Sequence, residues 1–140
     1  RAVLASLPFV LLVQACSGIS TKRVIPLEDI PWNLVSQDGV AIEPGSRSRA
    51  PEILLSGRDK RLGGSGGCNR LMGSYELDGD KLSFGPLVAT RMACAAGMAE
   101  EAGFTTLLQG VVSWRVDGSQ LVLFDGAGRA VLRFEARKAL

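Results

Sequence analysis

Short segments in which apolar and polar residues alternate, separated by glycine-containing turns, make up much of the second half of this sequence. The clearest pair runs from Gly73 to Phe84 and turns at Asp78-Gly79-Asp80. Alternation with a period of two places the apolar side chains on one face of a β-strand, and turn residues between two such segments predict a hairpin. After the middle of the chain, turn signals recur about every ten residues, which is typical of an antiparallel meander. The sequence therefore predicts a mainly β fold.

About eight strands can be counted in this way, from Trp32 to Phe134. Eight strands that close into a barrel leave an interior that side chains fill, or that holds one small ligand. Aromatic residues are only 6% of the sequence, which favours a filled interior. The 140 residues fit one domain of this kind.

One helix is predicted among the strands, over Ala96 to Gln109. The apolar residues of this segment have the spacing of a single buried helical face: Phe104, Leu107, Leu108 and Val111. Glu100 and Glu101 lie near its start, where the helix dipole favours negative charge, and Gly110 is placed to end it. We expect this helix to cover an open end or edge of the sheet.

Composition excludes several classes of function. Histidine is absent, so Ser-His-Asp and Cys-His catalysis and histidine-containing zinc sites are excluded. The net charge of +2 gives no electrostatic basis for binding nucleic acid. We predict no catalytic residues, no metal site and no cofactor.

Two segments match the letters of functional motifs without the context that those motifs need. Gly63 to Gly67 reads G-x-S-x-G, but a nucleophile elbow requires a strand-to-helix turn and a histidine partner. A Ser-Lys pair with Lys60 or Lys81 has nothing to position it. We expect these glycines to let the backbone bend where strands cross or the barrel turns a corner. Asp78 and Asp80 are explained by the hairpin turn.

The N-terminal segment has the features of an export signal. Arg1 precedes an apolar run that is too short to span a membrane, and Val13-Gln14-Ala15-Cys16 resembles a bacterial lipobox. We predict a lipoprotein signal peptide over residues 1–15, lipidated Cys16 with a tether over residues 16–30, and a β domain over residues 31–140. The resemblance, with Ser17 after the cysteine, implies an outer-membrane location facing the periplasm. The alternative is an ordinary cleaved signal that leaves Cys16 as a free thiol.

Cys68 and Cys94 would be exported with the domain into a compartment where disulfides persist. We predict a structural disulfide between them. It closes a loop of about 27 residues, and the chain-entropy model gives such a bond a stabilisation of roughly 3.5 kcal/mol. The alternative is a reactive thiol or a metal site, although two cysteines without histidine form a poor ligand set.

Two motifs, Gly67-Cys68-Asn69-Arg70 and Thr90-Arg91-Met92-Ala93-Cys94, carry a resemblance to a known family. Further matching segments are Trp32-x-Leu34, Gly73-x-Tyr75, Glu101-x-x-Phe104 and Leu121-x-Leu123-x-Asp125-x-x-Gly128. Together they resemble the META domain, the HslJ-like family of small secreted or membrane-anchored bacterial proteins, from about Trp32 to Phe134. The resemblance implies a small antiparallel β fold with barrel (calycin-like) character and one helix. It also implies a link to heat shock and antibiotic tolerance, with no established enzymatic activity.

The motif residues also have structural interpretations. Asn69 follows a glycine bend, where its side chain can bond nearby backbone. Arg70 and Arg91 can lay their stems along the surface or pair with carboxylates.

Three functions are compatible with these features. The first is a non-enzymatic, membrane-anchored envelope lipoprotein that binds another envelope component, as a stress-response module. The second is a carrier with a lipid or small apolar ligand inside the barrel, which requires a pocket lined by residues such as Trp32, Phe84, Trp114 and Phe134. The third is an enzyme that works without histidine, which requires a cleft with convergent groups of perturbed pKa.

Replacing Cys16 by serine should release the protein from membranes, because the acyl chains that hold a lipoprotein are attached at that sulfur. Fractionation of cells followed by immunoblotting measures the change, with Ser17→Ala as a control that keeps the cysteine. Persistent membrane association of the Cys16→Ser protein would contradict the lipobox assignment.

Overall fold

The computed structural model describes residues 24–137 of the chain. The predicted signal peptide, Cys16 and the first part of the predicted tether lie outside the described residues. The described part contains ten strands and one helix, with the following bounds: β1 Pro31–Gln37, β2 Val40–Ala41, β3 Glu52–Ser56, β4 Arg61–Ser65, β5 Arg70–Asp78, β6 Lys81–Phe84, β7 Val88–Ala89, α1 Met98–Gln109, β8 Val111–Asp117, β9 Gln120–Asp125 and β10 Ala130–Ala136.

The strands form one antiparallel sheet that closes on itself. Its order is β10-β9-β8-β6-β5-β4-β3-β1, and β1 also pairs with β10, from Trp32 opposite Ala136 to Gln37 opposite Leu132. These eight strands make the barrel, while the two-residue strands β2 and β7 pair with β1 and β5 at its margins. The predicted mainly β fold with barrel character and one helix is confirmed.

Tight turns set the register of the hairpins where the sequence predicts them. Asp38 and Gly39, with φ of 49° and 79°, join β1 to β2. Two consecutive positive φ angles are required by the type I′ turn, whose twist matches that of paired strands. Gly79 and Gly118 also have positive φ, at the β5–β6 and β8–β9 turns.

The barrel interior is a packed core. Trp32, Phe104 and Phe134 are fully buried in one cluster with aliphatic side chains from the surrounding strands. The indole Nε1 of Trp32 donates a 2.9 Å hydrogen bond to the carbonyl of Leu27, so the segment before β1 also packs against the barrel. The interior is therefore filled, as the low aromatic content favours.

The pocket required by a carrier is not found among the described residues. Trp32, Phe84 and Phe134 belong to the packed core, and Trp114 is half-buried with its Nε1 bonded to the carbonyl of Gly79. The surface grooves found among residues 24–137 are lined by other side chains.

Helix α1 covers part of the barrel, as expected, and contacts β6 and β10. The rings of Phe104 and Phe134 meet edge to face with centroids 6.3 Å apart. The helix begins at Met98 and not at Ala96, because Gly97 has a left-handed φ of 85°. Within the described part of the chain, no helix has the length and apolar character to cross a membrane.

Two details of the predicted pattern are wrong. Val111 is the first residue of β8 and not part of the helical face. The alternation of Val112, Trp114 and Val116 with Ser113 and Arg115 predicts that Val112 is buried. A register shift between Val111 and Ser113 interrupts this alternation and leaves Val112 46% exposed. An extra residue in one strand leaves its side chain unpaired and moves the alternation to the other face.

The glycine-rich segment is also straighter than expected. Gly63, Gly64 and Ser65 lie within β4, and the bend comes only at Gly66 and Gly67. A Cβ on Gly64 would clash with the backbone carbonyl oxygen of Glu52, whereas a Cβ on Gly63 would meet nothing within 4 Å. Close strand packing thus requires one glycine of the pair and not the other.

Gly64→Ala should destabilise the protein by roughly 1–3 kcal/mol, because the methyl group has no room beside rigid backbone. Gly63→Ala is the matched control, and it should be neutral or stabilise the strand by up to about 0.5–1 kcal/mol, since alanine loses less conformational freedom than glycine. Urea denaturation measures both. Equal effects at the two positions would contradict the described packing of β3 against β4.

Candidate functional site

The carboxylate of Glu101, in the first turn of α1, is the centre of a hydrogen-bonded cluster formed by the family-motif residues. Its Oε2 accepts bonds from the backbone N–H groups of Cys68 at 2.8 Å and Asn69 at 2.7 Å. Its Oε1 accepts a 2.8 Å bond from Nδ2 of Asn69. Hydrogen bonds to a carboxylate are about twice as strong as neutral ones. One side chain thus ties the helix to the loop between β4 and β5.

Asn69 extends this cluster to a third segment of the chain. Its Oδ1 accepts bonds from the backbone N–H of Met92 at 2.6 Å and from the hydroxyl of Thr90 at 3.1 Å. The Thr90 hydroxyl in turn accepts a 2.9 Å bond from the backbone N–H of Arg70. Asn69 is buried, and both ends of its amide are satisfied. The Asn69 side chain therefore has a structural role, as its place after the glycine bend predicts.

The disulfide between Cys68 and Cys94 is present and fixes the same segment covalently, with the two Cα atoms 5.9 Å apart. Cys68 is buried. The covalent bond and the Asn69 contacts act on neighbouring residues, so the stretch from Thr90 to Cys94 is held against the β4–β5 loop at several points.

Arg47 makes a second tie that sequence reasoning missed. Its side chain is only 8% exposed, and its Nη1 and Nη2 donate 2.7 Å bonds to the carbonyl of Gly66 and to Oε1 of Gln37. Nε2 of Gln37 then donates to the backbone carbonyl of Glu100 at 2.9 Å. Burial lowers the pKa of Arg47, and the nearby glutamates Glu100 and Glu101 oppose that shift.

The stem of Arg47 also explains two glycines. A Cβ on Gly67, whose φ is +117°, or on Gly97, whose φ is +85°, would run into the Arg47 side chain. No local pattern marks Arg47, which lies in a loop of the sequence. Gly67 and Gly97 are 30 residues apart in the sequence, and nothing in that spacing predicts that both contact the Arg47 side chain.

Gly73 and Tyr75 of the family motif lie outside this cluster. A Cβ on Gly73 would meet the side chain of Leu87, so this glycine lets a neighbouring loop pack closely. The Tyr75 hydroxyl lies 2.6 Å from Oε1 of Glu28 and 2.8 Å from the carbonyl oxygen of Ser56, two acceptors for its single proton. Burial, followed by the Glu28 contact, raises the pKa of Tyr75. Hydrogen bonds from Lys60 and Tyr75 lower the pKa of Glu28.

The side chains of Arg70 and Arg91 point outward and are exposed. The expected pairing of these arginines with carboxylates is not found among residues 24–137. They are the two charged motif positions whose side chains are available to another molecule.

The arrangement has the chemistry of a structural tie. Ser65, the centre of the G-x-S-x-G match, is buried within β4, and its Oγ accepts a 3.1 Å bond from the backbone N–H of Gly67. Within residues 24–137, no group of three or more Cys, Asp or Glu side chains is placed to hold a metal ion. The cluster groups of Cys68, Asn69, Thr90 and Glu101 are bonded to one another.

Comparisons with known proteins agree with this fold. A family model described as META domain matches residues 26–138. An NMR structure of a protein from Burkholderia xenovorans is 27% identical, with a TM-score of 0.66 over 86% of this chain and 97% of that one. Another NMR structure is 25% identical, with a TM-score of 0.59 over 76% of this chain and 87% of that one.

A crystal structure of a DUF4847 family protein from Bacteroides vulgatus has a TM-score of 0.51 at 17% identity, and it covers 64% of this chain and 61% of that one. At that identity it shows similarity of fold alone. No curated protein matches the chain significantly in sequence.

Glu101→Ala should destabilise the protein by about 2–4 kcal/mol, because two partly buried backbone N–H groups lose their acceptor. Glu100→Ala is the control at the adjacent position, where only the backbone carbonyl is used by Gln37. It should change stability by less than about 0.5 kcal/mol, as exposed substitutions do. If both variants melt with the wild type, the carboxylate does not hold the cluster.

Cys68→Ser should lower stability by roughly 2–5 kcal/mol, the usual loss for a native disulfide in a small domain. Cys94→Ser should produce a similar loss, since it removes the same bond. Thermal melts with and without reducing agent measure it. A melting temperature that neither substitution nor reduction changes would show that the bond is absent in solution.

Proposed function

The chain belongs to the META domain family, and we propose that it is a non-enzymatic interaction module of the bacterial cell envelope. In this proposal a lipid on Cys16 holds the domain at the outer membrane, facing the periplasm, where it binds another envelope protein in a response to stress. The heat-shock association follows from the family resemblance carried by the Gly67–Arg70 and Thr90–Cys94 motifs.

One observation carries the proposal: the polar groups of Glu101 and Asn69 and the two motif cysteines are used within the fold. The carboxylate of Glu101 and the amide of Asn69 bond to neighbouring backbone, and Cys68 and Cys94 bond to each other. A group that is already bonded in this way is a poor nucleophile or base, since both roles require a free lone pair close to a substrate. This supports a binding role over a catalytic one.

The surface next to the cluster is suited to contact with a partner. Met92 and Met98 are each 49% exposed and line one shallow groove together with Arg91. Methionine side chains adapt their shape to different apolar surfaces, and arginine is enriched at protein interfaces. Large exposed apolar side chains beside an unpaired cation are features of a contact surface.

The carrier alternative receives no support from the interior. The residues that would line its pocket are part of the packed core. We therefore place the binding surface on the outside of the barrel.

The proposed anchor would keep the domain close to the membrane. Leu27 already packs against the barrel, so the roughly eleven residues from Cys16 to Leu27 reach at most about 40 Å when fully extended. A module on such a tether meets membrane-bound and periplasmic proteins at high local concentration, which raises the occupancy of weak contacts.

In-cell photo-crosslinking tests the proposal. A photoreactive amino acid at Met92 or Met98 should give discrete crosslinked products that mass spectrometry identifies as envelope proteins. Val112 is the control, because it is exposed to a similar extent on β8. The same Met92 product should become weaker when Cys16→Ser removes the proposed anchor. Absence of crosslinks from every exposed position would reject an interaction module.

A further inference from the structure

The strand register aligns an apolar row on the outside of the barrel. Leu54 lies opposite Gly63, Gly63 opposite Met72, and Met72 opposite Val88. Residues directly opposed in an antiparallel sheet project from the same face, and Leu54, Met72 and Val88 are 42%, 44% and 63% exposed. Neighbouring strands are about 4.8 Å apart, so the row extends roughly 14 Å across β3, β4, β5 and β7. We call these four residues the outer apolar row.

Gly63 makes a gap in the middle of the outer apolar row. A Cβ at this position would meet nothing within 4 Å, and its φ is not in the left-handed region. The fold therefore does not require glycine here, in contrast to Gly64. A glycine inside a strand often marks a place where a ligand or another backbone approaches closely.

Positive charge borders the gap. The groove over Gly63 has a volume of about 300 Å³, and its rim includes Arg49, Arg70 and Arg137 with one acidic residue, Glu52. Arg137 is already paired with Glu52 at 3.0 Å. Among residues 24–137, the guanidinium groups of Arg49 and Arg70 form no ion pair. Two free cations thus stand at the rim of the groove over Gly63.

We propose that the outer apolar row is a second docking surface of the interaction module, separate from the groove lined by Arg91, Met92 and Met98, and that its occupant is an extended acidic segment of a partner protein. One apolar side chain of that segment fills the gap at Gly63, between Leu54 and Met72. Carboxylates next to it pair with Arg49 and Arg70, which favour the two-pronged geometry of arginine–carboxylate bonds. This adds a second surface, with a stated partner chemistry, to the proposed function, on which it rests.

The shape of the site favours a peptide over a membrane surface. A bilayer takes up apolar side chains that protrude from a protein, whereas Gly63 makes a recess that a protruding side chain of the partner fills. Association through apolar contact at the centre and charge at the edge is also the usual anatomy of a protein interface.

The test uses the purified protein and two pools of short synthetic peptides with a variable apolar residue at the centre. One pool has aspartate and glutamate on both sides of that residue, and the other has lysine. Titrations followed by NMR should show that the acidic pool shifts the amide signals of Leu54, Gly63 and Met72, while the lysine pool does not. Raising the salt concentration should weaken binding of the acidic peptides, because their contacts with the protein are partly ionic.

Substitutions localise the site. Gly63→Val fills the gap with a residue that strands favour, and it should weaken binding at least tenfold without lowering the melting temperature. Ser83→Val adds the same side chain to an exposed position of β6 and should leave binding unchanged. Arg70→Glu should weaken binding at least tenfold, while Arg133→Glu on β10 should have a much smaller effect.

Three results would overturn the proposal. The first is equal binding of the acidic and lysine pools, and the second is unchanged binding by a folded Gly63→Val protein. The third is that the protein binds no acidic peptide but binds phosphatidylglycerol vesicles, and that Gly63→Val abolishes the vesicle binding. That result would assign the outer apolar row to a membrane surface. If the peptides bind as proposed but cells give no crosslinks, the docking surface is supported and the proposed role in the cell envelope is rejected.

Discussion

The carboxylate of Glu101 is the interaction on which the arrangement around the motif depends. It accepts the backbone N–H groups of Cys68 and Asn69, and through the Asn69 amide it reaches Met92. A helix on the barrel, a loop between strands and a disulfide-linked segment are therefore held by one side chain. Without that acceptor, buried donors would remain unpaired, which costs more free energy than a typical hydrogen bond gains. The disulfide adds a covalent constraint at the same place.

These contacts give a recognisable motif a structural role. The motif residues Cys68, Asn69 and Cys94 hold the β4–β5 loop to helix α1 and to the segment that ends at Cys94. Function then falls to side chains that the fold does not use. Arg70 shows the division within one motif: its backbone N–H belongs to the tie, while its guanidinium group stands free at the rim of the outer groove.

Patterns that are local in the sequence were sufficient for the strands, the hairpin turns and the single helix, because alternation and glycine turns act over a few neighbouring residues. The disulfide is predicted from the two cysteines as the favoured alternative, and the structure contains it. Contacts between distant segments could not be predicted in the same way. Arg47 lies in a featureless loop, yet it packs against Gly67 and Gly97. The gap at Gly63 appears only when the register sets Leu54 and Met72 on either side of it, and the glycine-rich letters alone suggested a bend.

Native-state hydrogen exchange at the amides of Cys68 and Asn69 tests most directly whether the motif is a structural tie. If Glu101 holds both N–H groups, they should exchange only when the whole barrel unfolds, with the same opening free energy as the amide of Tyr75 in β5. Both should also respond to denaturant with the slope of global unfolding. Exchange of Cys68 and Asn69 that is orders of magnitude faster than that of Tyr75, in an intact barrel, would show a loop that opens on its own. The motif would then be a mobile site and not the fixed point of the fold.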